Sequence, residues 1–314
     1  MMLIKLKAAL GLFIAVFLCL QNVTVAESEN SKKCITDFDN LRNAYFKSNI
    51  EATVIQSVQS HTEPLSLMHM NKGNIDYTTW KSLNDEVVGY SLRQNKGFDF
   101  NQNRGFIGPL IWHQSRIWDR FFSKKTVFDD YECGILGRTR LAGRKVTLIR
   151  LNPKIENGFV FVVAKDADTS LPVELSVFSQ KQNLLAKFTV TAVHYSSSLN
   201  VSVPNETFDR IEKMSATGRV TEKVWPELNI PNGFKLMRTG VQQGAEHGKD
   251  IPYQMYSDGL VDFKVFKNTK GSLNIVSATE GTLSVMRRNS KNFEYAVVGE
   301  IPLEMCAQIL SNIK

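Results

Sequence analysis

The side chains in this sequence that could do chemistry are few, and their spacing matches no catalytic or metal-binding pattern. The five histidines show neither a His-Glu-x-x-His spacing nor a pairing with cysteines that would bind zinc; they are His61, His69, His113, His194 and His247. The sequence also lacks a Gly-x-Ser-x-Gly elbow, a Gly-x-x-x-x-Gly-Lys phosphate loop and a Rossmann glycine pattern. We therefore predict no metal, no cofactor and no enzymatic activity. An enzyme whose catalytic residues meet only in space is the less favoured alternative.

Two polar motifs have both a functional and a structural interpretation. Asp258 precedes Gly259 between two predicted strands, where a turn explains the aspartate better than a catalytic acid does. The arginines between Gly137 and Arg144 could bind an anion, but a solvated strand face is the simpler interpretation. Neither motif by itself predicts an active site.

The N-terminal segment is typical of an export signal. Lys5 and Lys7 precede the apolar run Ala8–Leu20, and small residues lead to Ala26. We predict a signal peptide over residues 1–26, cleaved after Ala26, and a mature protein in the periplasm. A membrane anchor is the less favoured alternative, because a spanning helix needs about 20 apolar residues and this run ends at Gln21.

The charge of the mature chain bears on its partners. Removing Lys5 and Lys7 lowers the formal net charge from +7 to +5. A mildly basic exported protein meets anionic lipid headgroups or acidic protein segments more readily than nucleic acid. A solvated surface of mixed charge explains the scattered basic residues equally well, since no run of five basic residues exists.

Three cysteines remain in the mature chain, an odd number for an oxidising compartment. Cys34 and Cys133 fall in the same predicted domain, and they form either one disulfide or, with Cys306, a set of three buried thiols. Cys306 lies on the apolar stripe of a predicted helix, where packing explains it.

Consecutive strands over residues 134–194 predict a β-meander. The runs are rich in β-branched and aromatic residues; they are Lys145–Leu151, Phe159–Ala164, Pro172–Phe178 and Leu185–Val193. Asn157-Gly158 marks a tight turn between the first two. Val173, Leu175 and Val177 alternate with polar residues, so one sheet face needs a cover. The run Phe159–Ala164 is apolar on both sides, which favours a place away from the sheet edge.

Upstream elements are predicted to supply that cover. Ser31–Ser48 has apolar residues three to four positions apart, as an amphipathic helix does, and Ile50–Ser57 is typical of a first strand. Large apolar residues then crowd positions 98–128 without a single period. Either they form core, or short helices and loops line a lipid-binding hollow; the candidate residues are Phe98, Phe100, Phe106, Trp112, Ile117, Trp118, Phe121 and Phe122.

The C-terminal third is predicted to be a separate small domain. Residues 196–222 are polar and contain Pro204 and Gly218, which predicts a linker. Residues 223–314 then carry several short strands, and Pro302 opens a final helix at a position where its missing N–H costs nothing. Strands with one late helix predict an α+β unit.

Four ordered segments carry a family resemblance. Gly137-Arg138-Thr139-Arg140-Leu141-Ala142-Gly143-Arg144 leads into the meander, and Trp225–Phe234, Tyr256–Leu260 and Val297–Pro302 follow in order. On these motifs the chain resembles the MucB/RseB family of periplasmic sigma-E regulatory proteins. The resemblance implies an α+β fold of two domains. Residues 27–195 are expected to form a curved antiparallel half-barrel of the LolA/LolB type with helices on its concave side, and residues 223–314 a partner-binding domain.

The resemblance also implies a function. The protein is expected to bind the periplasmic segment of a membrane-spanning anti-sigma factor, to shield it from regulated proteolysis, and to release it on binding lipopolysaccharide or another acylated lipid. Candidate partner-binding residues lie in the matching segments; they are Trp225, Tyr256, Asp258, Gly259 and Phe263. The alternative is a periplasmic lipid or lipoprotein carrier, although carriers of this fold lack the second domain. Association with further copies of this chain, as a homo-oligomer, is an alternative that the sequence leaves open.

Overall fold

Two open antiparallel sheets make up the computed structural model. It describes residues 29–85, 87–94, 96–107, 114–123, 130–197, 199–200, 203–215, 225–243, 250–269 and 276–313. The signal peptide predicted over residues 1–26 and the candidate Trp112 lie outside these described residues. The first sheet has eleven strands in the order β6-β5-β4-β3-β2-β1-β11-β10-β9-β8-β7, and the second has six in the order β12-β13-β14-β17-β16-β15.

Every pair of neighbouring strands in the described part of the first sheet is antiparallel. The strand bounds are β1 Ile50–Val58, β2 His61–Lys72, β3 Ile75–Ser82, β4 Gly89–Arg93, β5 Lys96–Asp99, β6 Arg104–Ile107, β7 Tyr131–Leu141, β8 Arg144–Pro153, β9 Val160–Asp166, β10 Pro172–Phe178 and β11 Leu184–Tyr195. Pairing of β1 with β11 brings the two ends of this domain together.

The predicted meander is confirmed as β8 to β11. Its core face follows the predicted alternation, since Val173, Leu175 and Val177 are all buried. β9 lies between β8 and β10, away from the sheet edge as its two apolar faces predicted. Asn157 adopts a φ of 61°, which fits the predicted tight turn.

Helices cover one face of the first sheet. A helix over residues 29–47, here α1, confirms the predicted amphipathic helix and buries Phe38, Leu41 and Tyr45. A disulfide joins Cys34 of α1 to Cys133 of β7, with a Cα–Cα distance of 5.7 Å. The second helix, α2, spans Arg116–Ser123, within the predicted aromatic segment.

A third helix occupies the stretch predicted to be a linker. This helix, α3, spans Asn205–Ser215 and buries Phe208 and Ile211 against Phe98 and Phe100. Ile211 also fills the space above Gly105 of β6, where a side chain at Gly105 would collide with it. The stretch 196–222 therefore contains a helix that packs on the face of the first sheet at β5 and β6, and only part of that stretch remains as a proposed connection between domains.

The second sheet confirms the predicted small α+β unit. Its strands are β12 Lys235–Gln243, β13 Asp250–Ser257, β14 Asp262–Thr269, β15 Ser277–Glu280, β16 Leu283–Asn289 and β17 Phe293–Gly299. The final helix, α4, spans Leu303–Ile309 with Pro302 at its N-cap, and it buries Met305, Cys306 and Ile309. Burial raises the pKa of the Cys306 thiol to about 12, so this free cysteine packs as an apolar residue. In the part of the chain that the structure describes, no helix has the length and apolar character to cross a bilayer.

Candidate functional site between the two sheets

Helix α2 is buried on all sides at the junction of the two sheets. Every residue from Ser115 to Phe122 is buried. Its aromatic side is embedded in the core of the first domain: the Phe121 ring lies 5.3 Å from Phe38 of α1 and 4.9 Å from Phe161 of β9. Trp118 lies 6.4 Å from Phe188 of β11. The helix thus fills the covered face of the first sheet with its own side chains.

The polar side of α2 is anchored to the first sheet through Asp119. Trp80 Nε1 donates to Asp119 Oδ1 at 2.9 Å, and the Tyr90 hydroxyl donates to Oδ2 at 2.8 Å. Arg116 Nη1 lies 3.3 Å from Oδ2. Burial raises the pKa of Asp119, while Arg116 and these two donors oppose the rise. A carboxylate inside an aromatic core is satisfied here by three donors, as buried charges require.

The next residue, Arg120, extends from α2 to the second sheet. Its Nη1 donates to Asp262 Oδ2 at 2.7 Å, and it also forms an ion pair with Glu300. All three side chains are nearly inaccessible to solvent. Burial lowers the pKa of Arg120, and the charge of Asp262 opposes that effect. One helix therefore contacts the first sheet through Asp119 and the second sheet through Arg120.

Further contacts join the two sheets around α2. The Tyr131 hydroxyl of β7 donates to Asp258 Oδ2 at 3.2 Å. Gln114 Nε2 donates to the Glu280 carbonyl at 2.9 Å, and Thr282 Oγ1 donates back to Gln114 Oε1 at 2.7 Å. Both domains contribute to a single continuous apolar core. The junction is therefore a packed interface with buried polar contacts.

A cavity of about 390 Å³ opens beside this junction. Charged and amide side chains contribute much of its lining; among them are Glu63, Lys81, Asp99, Gln102, Gln114 and Glu280. Glu280 belongs to the second sheet and the others to the first domain, so the cavity spans the junction. A lining of this kind suits a polar or hydrated ligand better than an acyl chain. The described residues bring no three His, Cys, Asp or Glu side chains together as a metal site.

The structure separates the predicted lipid-binding residues into two groups. Ile117, Trp118, Phe121 and Phe122 of α2 are buried in the main core. Phe98 and Phe100 instead pack with α3 in a second cluster. Phe106 is half-buried against the main core. They do not line one open hollow in this conformation, and lipid binding by these residues stays a prediction.

Two of the five predicted partner-binding residues are buried, and the other three are half-buried. Phe263 is fully buried, and Tyr256 stacks on it with ring centroids 5.2 Å apart. Trp225 is half-buried and lies 6.4 Å from the Tyr295 ring. Asp258 and Gly259 form the predicted turn, in which Asp258 Oδ1 accepts from the backbone N–H groups of Leu260 and Val261. Their part in partner binding stays a prediction, and in this conformation they support the second domain and its junction.

Sequence reasoning did not single out the charged residues of α2. Arg116, Asp119 and Arg120 are three to four positions apart and so share one helix face, opposite the aromatic residues, but the wider run over residues 98–128 follows no single period and hides this short helical pattern. Three charges inside such a run are a usable signal, because buried charges need partners. Glu300, one of those partners, lies within the Val297–Pro302 motif that carries the family resemblance.

Comparison with known proteins follows the same division into two parts. A model of the MucB/RseB N-terminal domain matches residues 36–212, and a model of the MucB/RseB C-terminal domain matches residues 219–314. The chain belongs to the MucB/RseB family. The sigma-E factor regulatory protein RseB of Haemophilus influenzae is 22% identical over 316 residues, covering 95% of each chain. The sigma factor AlgU regulatory protein MucB of Pseudomonas aeruginosa is 23% identical over 216 residues, covering 64% of this chain and 66% of the relative.

Solved structures of the family share the fold. A crystal structure of MucB in complex with MucA(peri) matches with a TM-score of 0.66 at 17% identity, covering 90% of this chain and 98% of that one. A crystal structure of MucB matches with a TM-score of 0.59 over the same shares. Members of this MucB/RseB family are regulators of sigma factors, and the predicted family and fold class are confirmed.

Proposed function

We propose that this MucB/RseB family member is exported to the periplasm, binds the periplasmic segment of a membrane-spanning anti-sigma factor, and shields that segment from the protease that starts signalling. The observation that carries the proposal is the match of both domains to a family of sigma-E regulators. A solved relative with this fold was crystallised with MucA(peri), which supports a protein partner of the same kind.

The domain junction supports a way for a lipid to release the partner. Phe121 and Phe122 of α2 occupy the covered face of the first sheet, and Arg120 on the same helix pairs with Asp262 and Glu300 of the second. An acyl chain that takes the place of the aromatic side chains has to move α2. Moving α2 breaks the buried ion pairs and loosens the second domain.

Thermodynamic linkage determines whether lipid binding strengthens or weakens partner binding. If lipid binds best to a form in which α2 is displaced, and that form holds the partner poorly, then lipid and partner weaken each other's binding by the same factor. Burial of apolar surface contributes about 25 cal/mol per Å² before ordering costs, so one long chain suffices to bias the junction by several kcal/mol.

The experiment that tests partner binding is affinity capture of envelope proteins with the tagged mature chain. Recovery of a membrane-spanning anti-sigma factor is the expected result. Recovery of lipoproteins without an anti-sigma factor would instead support the lipid or lipoprotein carrier. The release step is tested by titrating an acylated glycolipid into the preformed complex. The partner's affinity should fall as lipid saturates the protein, and an unchanged affinity removes the sensing role.

A further inference from the structure

Strand β12 is an open edge of the second sheet with an unusual composition. Among the residues that the structure describes, it pairs only with β13, so its other side presents backbone groups along Lys235–Gln243 that no described strand pairs with. Natural proteins usually blunt such edges, because an exposed apolar edge invites pairing with another chain. Here Leu236 is 51% exposed, Met237 56% and Val241 39%. These exposed apolar side chains on one edge strand need an explanation.

The other sheet edges in the described residues differ from β12. The β6 edge is only four residues long, and α3 packs on the sheet face beside it through Ile211. The β15 edge is only four residues long and carries no large apolar side chain. The β7 edge is the real rival, since Leu136 is 54% exposed and Arg138 follows two residues later. However, Leu136 is the only large exposed apolar residue on β7, whereas β12 has three.

The charged side chains of β12 itself are all positive. The strand contains Lys235 and Arg238 and no acidic residue. Arg238 lies opposite Met255, which in turn lies opposite Lys264, so Arg238 and Lys264 share one face of the sheet. Neither forms an ion pair with a carboxylate among the described residues. Burial, with Arg238 and Arg104 nearby, lowers the pKa of Lys264 to about 8, and the charge of Asp262 opposes that effect.

We propose that β12 is a docking edge for an extended acidic peptide segment, which joins the second sheet as a seventh strand. Backbone hydrogen bonds to the edge supply affinity, and the exposed apolar side chains contact alternate residues of the incoming strand. The cations select acidic residues on that segment. A second copy of this chain fits worse, because self-pairing of β12 sets basic residues against basic residues. The inference rests on the proposed function only in taking the peptide to be the anti-sigma factor's periplasmic segment.

The binding test uses matched double variants on the two rival edges. Leu236→Asp/Arg238→Glu changes β12, and Leu136→Asp/Arg138→Glu makes the same changes at the same spacing on β7. The full mature protein is titrated with the recombinant periplasmic segment of the source organism's anti-sigma factor. We expect the β12 variant to raise the Kd about tenfold or more, which corresponds to about 1.4 kcal/mol, and the β7 variant to leave it within about twofold, since truncating or reversing central contacts is costly.

Hydrogen exchange of the wild-type complex supplies a second measurement that a general loss of stability would not imitate. Amides of β12 should exchange more slowly in the complex than in the free protein, while those of β7 are unchanged. Unchanged exchange along β12 overturns the inference, as does loss of binding in the β7 variant alone. A dimer that the β12 variant dissociates, with peptide affinity unchanged, assigns the edge to a second copy and also overturns it.

The outcomes separate this inference from the proposed function. If wild-type protein does not bind the segment at all, the proposed function and this inference both fail. If wild-type protein binds and the β12 variant binds equally well, the function stands and only the docking edge is wrong.

Discussion

Arg120 Nη1 of α2 lies 2.7 Å from Asp262 Oδ2 of β14, and both side chains are more than nine-tenths buried although they belong to different sheets. Two residues that meet in this way tie the domains together through charge as well as apolar packing. Glu300 completes the group, and its backbone N–H donates to the Asp262 carbonyl at 3.0 Å. Buried ion pairs contribute little net stability, but losing one partner is costly because the other charge stays buried.

Replacing Arg120 by methionine should therefore destabilise the protein strongly. The variant leaves Asp262 and Glu300 buried without their cation, which costs about 3–5 kcal/mol of unfolding free energy. Urea denaturation followed by tryptophan fluorescence measures the loss.

The matched control is Lys181→Met. Lys181 and Glu304 also pair across the domains, at 3.7 Å, but their side chains are 81% and 58% exposed. An exposed pair contributes at most about 1 kcal/mol, so this variant should denature close to wild type. Equal small losses in both variants would contradict the structural role assigned to Arg120.

Reduction of the disulfide should lower stability by loop entropy. Cys34 and Cys133 are 99 residues apart in sequence, and a bridge closing a loop of about 100 residues restricts the unfolded chain by about 4–5 kcal/mol. Urea denaturation with and without a reductant measures the difference. The Cys34→Ser/Cys133→Ser variant should be less stable than oxidised wild type and insensitive to reductant. A reductant effect that persists in this variant would point to Cys306 instead.

The strands could be predicted from sequence where local propensity and burial agree. β10 begins and ends at the predicted residues Pro172 and Phe178, because alternation, β-branched residues and turn residues all indicate the same strand. The five strands β2 to β6 were not predicted. β2, for example, contains two methionines, two histidines and a proline, and its strand state depends on pairing with β1 and β3 rather than on its own preference.

The candidate site was harder to predict because its residues depend on partners far along the chain. The predicted aromatic residues Trp118 and Phe121 do lie at the junction. Arg120 acquires its role only through Asp262, 142 residues away. Local periodicity carries no information on such a pair. A buried charge in an aromatic run predicts that a partner exists but does not identify it.

Protonation of Asp258 should stabilise the folded protein. Burial raises the pKa of Asp258 to about 6, against the hydrogen bonds that Val261, Leu260 and Tyr131 donate to it. In the unfolded chain the pKa of an aspartate side chain is about 4. Between these values the folded state binds more protons, so stability rises as pH falls from 7 to 4 and the gain levels off below. As pH falls from 7 to 4, the free energy of unfolding of the wild type should rise by about 2 kcal/mol relative to that of Asp258→Asn.

Asp166→Asn is the control of opposite sign. Burial alone would raise the pKa of Asp166, but backbone N–H groups of Thr169 and Asp168 and the Arg144 side chain outweigh it and lower the pKa. The stability that this carboxylate contributes is present above the unfolded pKa and is lost as pH falls through lower values. Between pH 7 and 5, the free energy of unfolding of the wild type should thus not rise relative to that of Asp166→Asn. Denaturant midpoints at each pH measure both comparisons, and a flat profile for Asp258 would contradict its burial.

The last prediction concerns α3, which the sequence placed in a polar linker. Among the described side chains of this helix only Phe208 and Ile211 are buried and apolar, and Pro204 suggests a breaker although proline is tolerated where a helix starts. If α3 is docked, trypsin should cut slowly after Arg210, which is exposed but helical. Phe208→Ala removes the fully buried anchor and should speed that cut severalfold, because undocking of the helix precedes cleavage. The control Thr207→Ala, at a half-buried position, should be cut as slowly as wild type. Rapid cutting at Arg210 in wild type would show instead that α3 does not hold its place on β6, and that residues 196–222 act throughout as the linker the sequence predicted.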